Sequence, residues 1–112
     1  MNKLTALGIA HELAINEKKI VCCLPDYWDS FDMVKSYLTS WPGGERDYLY
    51  KKLYGTAIIR RIGGRPSIHF MPAMHGVRGM QADVMYVEGD RSDDDKMVIN
   101  LARAFGAEVI YA

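Results

Sequence analysis

Apolar residues recur three and four apart over residues 4–16, where Leu4, Leu7, Ile9, Ala10, Leu13 and Ala14 share a stripe that Glu12 and Asn16 avoid. That spacing predicts an amphipathic helix. Ile20-Val21-Cys22-Cys23-Leu24 is then continuously apolar and is stopped by Pro25, the pattern of a strand buried on both faces. Asp29 or Ser30 can cap a second helix whose inner face holds Phe31, Val34, Tyr37 and Leu38, ended by Trp41-Pro42-Gly43-Gly44.

Residues 45–54 are aromatic and mixed in charge, and Tyr48, Leu49 and Leu53 predict a short helix there. Residues 56–62 and 66–71 flank Gly63-Gly64 as a β-hairpin or two short strands around a glycine turn. A loop over 72–79 leads to a buried strand over 82–87 and a polar loop over 89–95. Asp93 to Asp95 can cap a helix over 96–105 that stops at Gly106, and residues 108–111 close the chain as a strand. Helices alternating with short apolar strands predict one small three-layer α/β domain over residues 1–112. Its sheet is expected to be mainly parallel, with four or five strands and helices on both faces.

Composition narrows the class. With 49% hydrophobic and 25% charged residues over 112 positions, the chain can bury a core and is not a disordered tract. No apolar run approaches the roughly 20 residues that span a bilayer. The N-terminus lacks the apolar stretch and cleavage site of a signal peptide. Adjacent Cys22 and Cys23 inside an apolar run read as core residues in a reducing cytoplasm.

Formal net charge is zero, which argues against tight, indiscriminate nucleic-acid binding. The charge is nevertheless segregated. Residues 48–82 carry Lys51, Lys52, Arg60, Arg61, Arg65 and Arg78 with no acid, whereas residues 83–97 carry Asp83, Glu88, Asp90, Asp93, Asp94 and Asp95 against Arg91 and Lys96.

With the elements placed, the chain resembles the P-loop ATPase core of helicases and phage terminase large subunits. The resemblance rests on Lys3-Leu4-Thr5-Ala6-Leu7 followed by Lys18-Lys19-Ile20-Val21-Cys22-Cys23-Leu24-Pro25. It rests also on Arg78-Gly79-Met80-Gln81-Ala82-Asp83 leading into an apolar strand that ends at Glu88. In that family the strand presents acids to magnesium and to water. It implies a P-loop-like fold, encoding by a phage or mobile element, and a role in nucleic-acid metabolism.

The departures from the family change the expected chemistry. A phosphate loop needs glycine-rich backbone N–H groups and a lysine, and no Gly-x-x-x-x-Gly-Lys-Ser/Thr occurs. Gly89 occupies the position that would orient water, and it has no side chain. The expectation is therefore a non-catalytic binding or regulatory protein without a cofactor, docking onto a protein partner in the cytoplasm. The residues assigned to that contact are Arg60, Arg61, Arg65, Met74, His75 and Arg78.

Two other chemistries stay open. Arg60, Arg61 and Arg65 around the glycine turn can hold phosphates, with Tyr48, Tyr50 or Tyr54 stacking on bases, as in a small nucleic-acid-binding protein. Glu88, Asp90 and Asp93 can offer oxygen ligands to a divalent cation, as in a metal-dependent nuclease or phosphatase. His11, His69 and His75 lack zinc-ligand spacing, and Ser67 follows a proline without an obvious base. A free sheet edge can also pair with another copy of the chain.

Overall fold

The computed structural model describes residues 1–64, 66–72 and 82–112. Among these residues three helices and six strands follow in the order α1 (Lys3–Ala14), β1 (Ile20–Cys23), α2 (Tyr27–Thr39), β2 (Tyr48–Leu53), β3 (Thr56–Arg61), β4 (Ser67–Met71), β5 (Val84–Val87), α3 (Asp93–Ala104) and β6 (Glu108–Tyr111). The strands form one sheet in the order β2-β3-β4-β1-β5-β6. β4, β1, β5 and β6 run parallel, and β2 and β3 join them antiparallel. The sheet is thus mixed and has six strands rather than the smaller, mainly parallel one expected.

Burial explains the central strand. β1 lies between β4 and β5 and alternates its side chains between two cores. Ile20 and Cys22 pack with Ala6, Ile9 and Leu13 of α1 and Phe31, Val34 and Leu38 of α2. Val21 and Cys23 pack with Met85, Val87, and Val98 and Ile99 of α3. A strand read by both layers must be apolar at every position, and this one is.

Helix starts are set by single polar side chains. Asn2 accepts from the Thr5 amide at 2.8 Å and opens α1. Ser92 accepts from the Asp95 amide at 3.1 Å, so α3 begins three residues earlier than its acids suggested. The acids occupy its first turn, where the positive end of the helix dipole favours them. α2 likewise starts earlier, at Tyr27, with Asp26 preceding it.

The helix expected over 45–54 is instead β2. Its Tyr48 and Tyr50 turn inward against the first core, with Tyr50 edge-on to Phe31 at 6.5 Å between ring centroids. Leu49, Lys51 and Leu53 alternate to the other face. Gly55, at a φ of 77°, closes the tight turn into β3. The glycine turn at Gly63-Gly64 does join two antiparallel strands, β3 and β4. Among the described residues, no helix is long and apolar enough to cross a membrane.

Candidate functional site

The chain leaves β1 toward α2 on one side of the sheet and leaves β5 toward α3 on the other. Two neighbouring parallel strands whose connections diverge open a crevice at their carboxyl ends, the usual ligand position of open α/β sheets. Here the crevice is bordered by Leu24, Pro25 and Asp26 after β1 and by Glu88, Gly89, Asp90 and Arg91 after β5. Gly89 turns the chain with a φ of 75°. A cavity of about 370 Å³ lies beside it, lined by Asp90, Arg91, Lys96, Asn100 and Tyr111.

Arg91 is the best-anchored group at this edge. Its guanidinium donates to the Pro72 carbonyl at 3.1 Å and to Cys23 Sγ at 2.6 Å, and lies 3.8 Å from the Asp95 carboxylate. It therefore ties the ends of β1 and β4 to the start of α3. Glu88 lies 3.4 Å from the Met1 ammonium, a contact that joins the end of β5 to the chain start. The expected triad of Glu88, Asp90 and Asp93 does not gather. Asp93 sits on the first turn of α3, and among the described residues no group of three His, Cys, Asp or Glu side chains converges as a cation site.

The electrostatics at α3 oppose phosphate as well. Helix N-termini attract anions through free amides and the helix dipole. Here Asp93, Asp94 and Asp95 fill that first turn with carboxylates, which repel a phosphate approaching the same end.

The arginine group separates across the sheet. Arg60 and Arg61 are consecutive on β3, so their side chains leave opposite faces. Arg61 forms an ion pair with Glu17, just beyond α1. Arg60 is exposed on the other face, in register with Leu49 of β2. Arg65, Met74, His75 and Arg78 lie outside the described residues.

Among the described residues no helix packs over the sheet around Arg60, although Ser67 and Met71 of β4 on the same side are buried. Strand alternation places Leu49, Lys51 and Leu53 of β2 beside Ile58 and Arg60 of β3. None of them belongs to the core beneath α3, and Leu49 and Leu53 are 42% and 37% exposed. No acidic residue of β2, β3 or β4 faces this side. The hairpin tip adds Tyr54, wholly exposed. Lys52 points the other way, where it pairs with Asp32 at 3.0 Å and lies over the Trp28 and Phe31 rings. The sequence singles out Leu49, Lys51 and Leu53, but the helix it predicts over 45–54 does not put them on one face. The Tyr48/Tyr50 alternation ahead of Tyr54-Gly55 was the signal that identifies the strand.

Ser67 does have a base within reach. Its hydroxyl lies 3.0 Å from His69 Nε2, two residues along β4 on the same face. Burial, assisted by Lys19, pulls the imidazole down to about 4, so it is neutral at physiological pH. Ser67 is itself buried, and the pair serves as an internally satisfied polar contact. No family model, curated protein or solved structure matches this chain.

Proposed function

We propose that this chain is a non-catalytic binding protein of nucleic-acid metabolism, built on a core resembling a P-loop ATPase, which docks a protein partner through the β2–β3 half of its sheet. The observation that carries this reading is the acid-free face of β2 and β3, where Leu49, Leu53 and Ile58 surround Lys51 and Arg60. Apolar side chains interspersed with cations fit a partner that offers apolar residues and carboxylates. The carboxylate-filled first turn of α3 favours binding over nucleotide turnover.

A photo-reactive residue placed at Leu53, with Ile15 on the far side of the chain as control, tests this in cells that express the protein. A protein adduct at position 53 and none at 15 supports docking through this face. No adduct at 53 overturns it. A second reading, nucleic-acid binding, is favoured by Tyr54 standing fully exposed next to these cations. It requires affinity for a single-stranded oligonucleotide that falls steeply with salt.

A further inference from the structure

We propose that the cavity at the carboxyl ends of β5 and β6 is a separate binding site, and that its ligand is a free α-amino acid. It lies at the opposite edge of the sheet from β2 and β3, so it stands independently of the docking role given to that half.

Position supplies the first argument. Asp90 and Arg91 follow β5, Tyr111 ends β6, and Lys96, Ile99 and Asn100 come from α3. Open α/β sheets receive their ligands at this end of the strands. A volume of about 370 Å³ is near the lower end of the range for small-molecule clefts, and it suits a compact ligand.

The lining is also held in place from behind. The Arg103 guanidinium donates to Asn100 Oδ1 at 3.3 Å and to the Tyr111 hydroxyl at 3.1 Å. Asn100 Nδ2 and the Tyr111 proton are thereby left to donate, and neither has an acceptor among the described residues. Arg91 is fixed in turn by the Pro72 carbonyl, Cys23 and Asp95. Polar groups set by the protein beforehand lose little freedom when a ligand arrives.

Charge selects the ligand. Asp90 and Lys96 line one cavity with opposite charges, yet neither has an ion-pair partner among the described residues. The Arg91 charge is offset by Asp95, 3.8 Å away. A simple anion would meet Asp90 and the acid-filled first turn of α3. A simple cation would meet Lys96 and Arg91. A small molecule that carries both charges answers both groups at once. In a free amino acid the α-ammonium donates to Asp90, while the α-carboxylate accepts from Lys96, Asn100 Nδ2 and the Tyr111 hydroxyl. Ile99, only 2% exposed, offers the apolar floor for the carbon skeleton.

Amide NMR spectra recorded with each common amino acid in turn at about 10 mM, where a millimolar site is mostly filled, read the outcome. At least one amino acid should shift the Gly89, Asp90, Arg91 and Asn100 amides in a saturable way. Its N-acetyl and carboxamide derivatives, which each lack one charge, should bind about tenfold more weakly or worse. Lys96→Gln and Asp90→Asn are changes at exposed positions, so both variants should keep the folded spectrum and lose affinity to a similar degree. Asp90→Asn should in addition bind the amino acid no better than its N-acetyl derivative, a loss of discrimination that misfolding would not produce. No saturable shift at these amides with any amino acid overturns the site. So does an N-acetyl derivative that binds as well as its parent, or a folded Asp90→Asn variant that still tells the two apart.

Discussion

Tyr50 donates its phenolic hydroxyl to the Gly44 carbonyl at 2.6 Å, fastening β2 to the loop that ends α2. Burial, with Tyr48 and Glu45 nearby, pushes the phenol up to about 12, so it remains a donor across the physiological range. Tyr50→Phe keeps the ring against Phe31 and removes only the donor. A loss of about 1–2 kcal/mol in urea unfolding is expected. An unchanged midpoint would mean that water replaces the phenol without cost.

Gly44 itself should be far less tolerant. A Cβ there would sit 1.8 Å from the Leu38 carbonyl oxygen, which is backbone and cannot swing aside. Gly44→Ala is expected to cost more than about 3 kcal/mol, beyond the usual overpacking penalty of a flexible site. Urea melts of both variants rank the two effects, and a Gly44→Ala loss smaller than that of Tyr50→Phe would contradict the loop geometry.

Arg60 and Arg61 should behave as different residues despite their adjacency. Arg61→Ala removes the ion pair with Glu17, whose side chains are both partly exposed. It should cost about 0–1 kcal/mol and less at high salt. Arg60→Ala should leave the melt unchanged and weaken docking. A stability loss at Arg60 equal to that at Arg61 would place both on one tether.

Much of the architecture was legible because burial writes itself into sequence. β1 reads as a strand from five apolar residues in a row, and α1 reads from its stripe. β2 was not legible because only half of it is buried. Tyr48 and Tyr50 face the core while Leu49, Lys51 and Leu53 face outward, and an apolar residue left exposed blurs period two into something helix-like. The site suffered from the same ambiguity. Arg60 could be picked out as a surface cation, yet its separation from Arg61 depends on strand pleat, and its company depends on pairing with β2. The Ser67–His69 contact follows from the same pleat once β4 is known to be a strand.

His69 supplies a pH signature. Its folded value of about 4 lies below the ordinary 6.5, so the unfolded chain binds more protons between these values. Stability is full above about pH 6.5 and is lost as pH falls toward 4. The ring is partly solvated, so the loss is discounted to about 1–2 kcal/mol. Denaturant melts of wild type and His69→Gln at pH 7 and pH 4.5 isolate this effect from other groups. The variant should lose less stability on acidification, and equal losses would remove His69 as the cause.

Cys22 and Cys23 provide a readout of how the central strand opens. Burial raises both thiols, Cys22 most strongly, while Cys23 reaches about 11 because the neighbouring Arg91 partly opposes its burial. At pH 8 only about one Cys23 in a thousand is thiolate, the form that reacts, and Cys22 is ionised less still. Both side chains are fully enclosed. Alkylation of the native protein should therefore proceed only through opening of β1. Since β1 pairs on both sides, with β4 and with β5, that opening should match global unfolding measured in denaturant. Both cysteines should then label together at one rate. Mass spectra showing Cys23 modified well before Cys22 would instead reveal a local release at the Arg91 end of the strand, and Arg91→Ala should then accelerate it.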